Sequence, residues 1–326
     1  MRAATACVTR VCQGFHRTGR LASRSTSRRR TIITGQYAIA LHGGAGAVAG
    51  RDYSATQDHL RELARECQAQ LSEGASALDV VESAVKAMET SGLYVAGRGS
   101  APNTAGYVEL DASIMDGATL SCGAVAAVTG VKNPISLARL VMQRTPHVLL
   151  AGAGAERFAD EMGVERVSQR YYYTQRRWEA LQEALAREPA EPGGGTVGVV
   201  ALDREGRLAA GTSTGGLTNK LAGRVGDTPI IGAGTYADAD CATSGTGVGE
   251  EFIRHGVARR ICLIYEDLGL SIADAAAKVV HQQLEPGHGG VIAVTRDGEI
   301  ALVFNTPGMY RGAADSTGRF EVAIWE

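Results

Sequence analysis

The sequence predicts an α+β fold in which helices cover antiparallel sheets. Two pairs of apolar runs are joined by tight turns: DREG (residues 203–206) follows the run 196–203, and RDGE (residues 296–299) joins the runs 291–294 and 300–304. Helical patterns and strand pairs occur in blocks. A repeated strand–helix–strand series, which a doubly wound parallel sheet requires, is not seen.

The first half of the chain contains both types of element. A short apolar run at residues 37–41 predicts a buried strand that leads into a loop, HGGAGA, at residues 42–47. Two amphipathic helices follow. Cys67 lies on the apolar stripe of the first, and Ser76 is the predicted N-cap of the second. Further along, the pattern predicts strands at 108–115 and 123–130 and helices at 134–142, 147–162 and 171–186.

The chain changes character at residues 188–195. This segment, EPAEPGGG, holds two prolines and three consecutive glycines, so it is a poor helix and a poor strand. A strongly apolar strand begins directly after it, at Thr196. Helices are predicted at 250–267 and 273–284, the second with Ser271 and Asp274 as a capping pair.

Composition restricts the possible partners. The chain has 326 residues, 44% of them hydrophobic and 21% charged, with no apolar run of the ~18–20 residues that cross a membrane. Its net charge is −2, but residues 1–30 carry eight arginines and no acid, and the remainder has a formal charge of −10. An acidic body argues against nucleic acid as the main partner. The cytoplasm is the compartment that we expect, from the cysteine pattern described below.

Residues 1–35 are predicted to be an extension that precedes a single domain at residues 36–326. The extension is rich in Arg and Ser, a composition typical of organellar targeting segments. A disordered tail and an upstream start codon have the same composition, and the sequence does not decide among the three.

Cysteine and histidine spacing argue against a metal enzyme. The six cysteines form no C-x-x-C pair and the seven histidines no H-x-x-x-H pair. This spacing favours reduced thiols in a cytosol-like compartment and no transition-metal site.

Two G-x-G stretches, at 44–46 and 152–154, lack the third glycine of a dinucleotide site, since Ala49 and Arg157 stand there. The sequence therefore argues against dinucleotide binding.

Thr196 has two interpretations. It is a β-branched residue that opens a strand after a linker, or it becomes a chain terminus after cleavage of the preceding bond. In the second case its α-amine, with a reference pKa of about 7.7–8.0, is a general base for its own hydroxyl, and no histidine is needed.

Eight segments together identify a family. They are HGGAGA (42–47), NTAGYVELDASIMDG (103–117), NPISLARLVM (133–142), TVGVVALD (196–203), TSTGGLTNK (212–220), GRVGD (223–227), GAGTYA (232–237) and TGVGE (246–250). In this order they resemble the plant-type L-asparaginase/isoaspartyl peptidase family of N-terminal-nucleophile hydrolases. The resemblance extends over residues 37–311.

The resemblance implies a four-layer αββα sandwich that cleaves itself between Gly195 and Thr196. The products are an α subunit (36–195) and a β subunit (196–326), which the family assembles as a dimer of αβ heterodimers. The implied activity is hydrolysis of isoaspartyl dipeptides and of the side-chain amide of L-asparagine, with release of L-aspartate.

The resemblance also implies roles for individual residues. Thr196 is the nucleophile, Thr214 orients it, and Thr246 with the Gly247 amide forms the oxyanion hole.

Substrate recognition matches three further positions. Arg224 is the partner of the substrate α-carboxylate, Asp227 of its α-ammonium, and Gly249 is a backbone contact to the amine.

No cofactor is implied for the chemistry, but residues 88–99 resemble the family's sodium-binding loop. The ion is held there by backbone carbonyls, which match Met88, Glu89, Ser91, Tyr94, Ala96 and Arg98. The family commonly has Asn where this chain has Val95. Valine cannot hydrogen-bond, so this difference bears on the efficiency of self-cleavage or on the position of the hydrolytic water.

Two alternatives remain. A glycosylasparaginase shares the fold and mechanism but usually carries an acidic residue where this chain has Gly195. An unprocessed, inactive homologue would act as a binding protein. The sequence does not rank asparagine against isoaspartyl dipeptides.

Overall fold

A computed structural model of the chain describes residues 35–186 and 194–326. The first range contains β1 (Ala38–Ala45), α1 (Ser54–Ser72), α2 (Ala77–Ser91), β2 (Leu110–Asp116), β3 (Cys122–Val128), α3 (Pro134–Arg144), β4 (Leu149–Ala151), α4 (Gly152–Glu161), α5 (Gln169–Tyr172) and α6 (Gln175–Leu185). The predicted extension lies outside these residues, except for position 35.

The second range contains β5 (Gly194–Leu202), β6 (Leu208–Leu217), β7 (Thr235–Ala237), β8 (Cys241–Gly247), α7 (Gly249–His255), α8 (Val257–Leu268), α9 (Ile272–Gln282), β9 (Gly289–Thr295), β10 (Ile300–Phe304), β11 (Met309–Asp315) and β12 (Phe320–Ala323). All described residues belong to one compact unit. None of the helices within them is long and apolar enough to cross a membrane.

The strands form two sheets. The larger has eight strands in the order β12-β11-β1-β5-β6-β2-β3-β4, and the smaller has four in the order β10-β9-β8-β7. Pairing is antiparallel except between β3 and β4. Strand β5, which begins beside Thr196, lies inside the larger sheet and pairs with β1 on one side and β6 on the other.

Alternation along the strands divides the core into layers. On β1, Ile39 and Leu41 pack under α1, α2 and α3, whereas Ala38 and Ala40 face the smaller sheet. The outer face of the smaller sheet is covered by α8 and α9, where Ile261 is one of the buried contacts. The order helices, sheet, sheet, helices confirms the predicted αββα sandwich.

Both predicted helix caps are present. The Ser76 hydroxyl accepts a hydrogen bond from the backbone N–H of Asp79 at 3.2 Å, and the Ser271 hydroxyl accepts one from that of Asp274 at 3.0 Å. Each cap satisfies a backbone donor that the first turn of the helix leaves open.

Several predicted boundaries are wrong. The strand predicted to end at residue 41 continues to Ala45, past an irregularity between His42 and Gly44, so most of the HGGAGA segment is strand. The predicted helix 250–267 is two helices separated at Gly256, whose φ of +57° is left-handed. The helix predicted at 147–162 begins with strand β4, and the one at 171–186 is split between α5 and α6. Strands β7, β8, β11 and β12 were not predicted.

Candidate active site

The hydroxyls of Thr196 and Thr214 are in direct contact. The two residues are opposite each other in the β5–β6 ladder, and the Thr196 Oγ1 lies 3.2 Å from the Thr214 Oγ1. Both side chains are buried. The structure therefore brings together the predicted nucleophile and the threonine predicted to orient it.

Thr214 also contacts the bond that is predicted to break. Its hydroxyl donates to the carbonyl oxygen of Gly195 at 2.9 Å and accepts from the backbone N–H of Gly216 at 2.9 Å. The β5–β6 register shifts between Gly194 and Thr196, so the predicted scissile bond lies at a bulge. The Thr214 hydroxyl thus contacts the oxygen of the predicted nucleophile, Thr196, and also polarises the Gly195 carbonyl that this nucleophile would attack.

Gly195 is closely enclosed. A Cβ built on it would lie 2.5 Å from Val95 Cγ2 and 2.9 Å from Val95 Cβ. The carbonyl of Val95 accepts a hydrogen bond from the Gly215 N–H at 2.8 Å, which fixes the valine against β6. Any larger residue at 195 requires movement of Val95 or of the Gly195–Thr196 peptide.

A small cleft lies at this point. Its lining comprises Gly195, Thr196, Thr214, Gly216, Leu217, Arg224, Gly226, Asp227, Thr228 and Gly247. The predicted nucleophile and the two predicted substrate-binding charges therefore face the same space.

Asp227 is a buried carboxylate whose Oδ2 has no hydrogen-bond partner among the described residues. Burial raises the pKa of its carboxyl from the ordinary value of 3.8 to about 7. An unpaired carboxyl in a cleft beside an arginine is suited to receive a cationic group.

Arg224 is held by a residue that sequence analysis did not single out. Its Nε donates to Glu250 Oε1 at 3.0 Å and its Nη2 to Glu250 Oε2 at 2.8 Å, a bidentate pair. The Nη1 side of the guanidinium faces Gly226 in the cleft, where a Cβ would lie only 2.7 Å from Nη1. Glu250 thus orients the arginine and leaves its other donors toward the cleft.

The remaining predicted site residues lie at the cleft or next to it. Gly247 lines it, whereas the neighbouring Thr246 is buried and its hydroxyl accepts a hydrogen bond from the Ala45 N–H at 3.2 Å. A Cβ on Gly249 would lie 2.8 Å from Asp227 Oδ1 and 2.9 Å from Arg224 Nη2. A side chain at 249 would therefore displace one of these two charged groups.

The predicted sodium loop follows α2 as a series of bends. The Met88 carbonyl accepts from Ser91 Oγ at 2.9 Å and the Glu89 carbonyl from the Arg98 N–H at 2.7 Å. The Glu89 carboxylate accepts from Asn133 and from the backbone N–H of Ile135, and burial raises its pKa to about 8. No cluster of three metal-ligating His, Cys, Asp or Glu side chains occurs in the part of the chain that the structure describes.

His42 is the second residue that sequence analysis missed. Its imidazole is fully buried and lies 3.1 Å, through Nδ1, from the carbonyl oxygen of Thr196. The sequence placed this histidine in a loop, and a lone histidine without a spaced partner gives no signal of a contact made 154 residues away in the chain.

Comparison with known proteins gives a consistent result. A family model described as asparaginase matches residues 35–324. The isoaspartyl peptidase of Salmonella typhimurium is 48% identical over 292 residues, which cover 84% of this chain and 93% of that protein. The isoaspartyl peptidase of Escherichia coli is 46% identical (85% and 92% covered), and the isoaspartyl peptidase/L-asparaginase of Mus musculus is 39% identical (90% and 93% covered). The chain therefore belongs to the asparaginase family whose members include these isoaspartyl peptidases.

Proposed function

We propose that this protein is a threonine amidohydrolase that releases L-aspartate from isoaspartyl dipeptides and from L-asparagine. One observation carries the proposal: the hydroxyl pair of Thr196 and Thr214 shares a cleft with Arg224 and the unpaired carboxyl of Asp227. The names of its relatives, isoaspartyl peptidase and isoaspartyl peptidase/L-asparaginase, agree with it.

The first reaction is self-cleavage. The Thr196 oxygen attacks the Gly195 carbonyl carbon, its hydroxyl proton passes to the Thr196 nitrogen, and the C–N bond between the two residues breaks to give an ester between Gly195 and the threonine side chain. Water then hydrolyses that ester, which frees the hydroxyl and leaves the α-amine of Thr196 as a new terminus. Thr214 supports this step because its hydroxyl donates to the Gly195 carbonyl oxygen, where negative charge develops.

The second reaction repeats this chemistry on substrate. The free amine of Thr196 accepts the hydroxyl proton, and the oxygen attacks the side-chain carbonyl of the substrate. The tetrahedral intermediate loses ammonia or an amino acid, and water hydrolyses the aspartyl ester. In this proposal Thr246 and the Gly247 amide stabilise the oxyanion.

The two charges explain the substrate class. A ligand with a free α-carboxylate meets the Nη donors of Arg224, and its α-ammonium meets Asp227. L-Asparagine and a β-aspartyl dipeptide both present these groups with the scissile bond on the side chain, whereas an internal peptide bond does not.

Assembly, compartment and ions complete the proposal. We expect a dimer of αβ heterodimers in the cytoplasm; the four described cysteines are free, as in a reducing compartment. The resemblance of residues 88–99 to the family's sodium-binding loop supports a structural sodium ion there, because backbone carbonyls suit a hard cation. Bound there through the predicted carbonyls, the ion would stiffen the loop that carries Val95.

The test is an assay of purified full-length protein. Intact mass reports the cleavage, and aspartate release is measured from β-aspartyl-leucine, L-asparagine and an N-glycosylated asparagine. Release from the first two by a protein with a chain beginning at Thr196 is the expected result. Activity on the glycosylated substrate alone would indicate a glycosylasparaginase, and a single band near 34 kDa without activity would indicate a binding protein.

A further inference from the structure

A continuous series of buried side chains runs from the nucleophile residue into the layer between the sheets. His42 Nε2 lies 2.9 Å from Ser244 Oγ, which lies 2.7 Å from Thr212 Oγ1, which lies 2.5 Å from Thr235 Oγ1. Ser113 Oγ continues the series at 2.8 Å from Thr235 Oγ1. All five side chains have no exposed surface.

The series crosses repeatedly between the two sheets. His42, Thr212 and Ser113 belong to strands of the larger sheet, whereas Ser244 and Thr235 belong to the smaller one. Its far end returns to the cleft, because Ser113 Oγ also lies 2.6 Å from the carbonyl oxygen of Thr228, which lines the cleft beside Asp227. Both ends of the series therefore contact residues of the candidate site.

The directions of the hydrogen bonds at the His42 end follow from the carbonyl of Thr196. A carbonyl only accepts, so the proton of the imidazole must be on Nδ1. In a neutral ring Nε2 then accepts, and Ser244 must donate to it. Ser244 in turn accepts from Thr212, and Thr212 accepts from Thr235.

One observation supports a neutral ring, and a second supports its position. Burial lowers the pKa of His42 to about 3, so the imidazole is uncharged at neutral pH. Gly198 is in register with His42 on one side and Thr212 on the other, and a Cβ there would overlap Ser244 Oγ and His42 Nε2. The strand of the nucleophile thus leaves the space that the His42–Ser244 contact needs.

We infer that His42 is a positioning residue: its Nδ1–H holds the carbonyl of Thr196, and the Ser244–Thr212–Thr235 hydroxyls fix the tautomer that makes this bond. The role is distinct from proton transfer, since the ring contacts neither the Thr196 hydroxyl nor its amine among the described hydrogen bonds. It rests on the proposed function of Thr196 as the nucleophile. Loss of the bond frees the backbone that carries the attacking oxygen.

The test uses two amides that divide the functions of the ring. In His42→Asn the amide nitrogen lies at the δ position and still donates to Thr196. In His42→Gln the amide lies at the ε position and reaches only Ser244. We expect kcat of the processed His42→Gln protein to fall about 5- to 30-fold with KM within about threefold of wild type, and His42→Asn to stay within about threefold. The exposed His281, changed to the same two amides, is the control.

A cycle with Ser244→Ala tests the coupling. Alone, this change removes the donor that fixes the tautomer, and kcat should fall about three- to tenfold; added to His42→Asn it should have no further effect, because Asn does not use that hydroxyl. Equal losses of kcat in the two amide variants, or an additive cycle, would overturn the inference. If the His42 variants do not accumulate, an unchanged kcat in Ser244→Ala overturns it alone. An inactive wild-type protein would instead contradict the proposed function.

Discussion

The side chain of Val95 packs against the Cα of Gly195, at the bond predicted to be cleaved. The contact leaves no space for a side chain at 195, since a Cβ there would lie 2.5 Å from Val95 Cγ2. The family commonly has the polar amide of Asn at this position, whereas this chain has the apolar side chain of Val95. The Val95 side chain restricts the Gly195–Thr196 peptide by steric contact and not by hydrogen bonding.

The first prediction concerns this contact. Gly195→Ala should slow self-cleavage about 5- to 150-fold, because overpacking of this kind costs about 1–3 kcal/mol and moves the Gly195 carbonyl away from Thr214. Val95→Gly removes both atoms that the new methyl would strike, so the double variant should cleave within about threefold of Val95→Gly alone. The cleaved fraction is followed over time on a denaturing gel. Equal cleavage of Gly195→Ala and wild type would show that the enclosure has no effect.

A second prediction separates cleavage from turnover. Thr196→Ala removes the attacking oxygen, so the chain should remain intact and inactive. Thr196→Ser keeps the hydroxyl but loses the methyl that restricts its rotamer, and it should cleave slowly and then hydrolyse substrate at a reduced rate. Intact mass and sequencing of the smaller fragment give the answer. A fragment that begins at any residue other than Thr196 would refute the mechanism.

The third prediction ranks the residues of the α-carboxylate site. Arg224→Ala should lower kcat/KM about 30- to 1,000-fold, since loss of a charge-assisted contact costs about 2–4 kcal/mol. Glu250→Ala should lower it by no more than about fivefold, mainly through KM, because Glu250 acts through Arg224 and its ion pair is partly exposed. Substrates that lack the α-carboxylate provide the control, as they should not distinguish the variants. A loss of less than threefold in Arg224→Ala would show that this arginine does not bind the α-carboxylate.

The fourth prediction follows from the buried carboxyl of Asp227. Burial raises its pKa to about 7, so the free enzyme gains a proton at this position as pH falls below about 7. The protonated acid no longer attracts an α-ammonium, and KM should rise by up to about tenfold per pH unit below that value. Asp227→Asn should have a high KM that is insensitive to pH in this range. The pH dependence of kcat is separate, because it reports the Thr196 amine in the bound complex.

The fifth prediction concerns ions. Exhaustive EDTA treatment should leave activity unchanged, because the proposed chemistry needs only the hydroxyl and the amine of Thr196. Replacing sodium with a large organic cation should lower the melting temperature or the turnover if the loop at 88–99 binds the ion. Activity that EDTA abolishes and zinc restores would contradict the first statement, and an unchanged melting temperature and turnover without sodium would contradict the second.

Local sequence patterns predicted the parts of the fold that local forces determine. The caps at Ser76 and Ser271 depend on residues three positions away, and β10 was predicted at its observed bounds from its own apolar run. By contrast, β8 reads CATSGTG, with polar residues at positions that are buried between sheets. The hydroxyl of Ser244 in this strand is satisfied by His42 and Thr212 from distant strands, which no local pattern indicates.

The candidate site divides in the same way. Resemblance named the charged pair Arg224 and Asp227, and the structure places both in one cleft with Thr196. Glu250 and His42 were missed because their importance depends on partners that only the folded chain brings near. Glu250 lies at the end of the motif TGVGE. Its separation of 26 residues from Arg224 gives no local indication that the two side chains form an ion pair.

The position of β1 affects whether the protein can refold after cleavage. This strand lies between β5 and β11, so a cut before Thr196 would assign it to one polypeptide and both of its neighbours to the other. The two products would share a sheet, and dilution would not separate them without unfolding it. The intact precursor can refold as a single molecule, whereas the cut protein, once denatured, would need two chains to meet again. The chain would therefore have to fold correctly before it is cleaved.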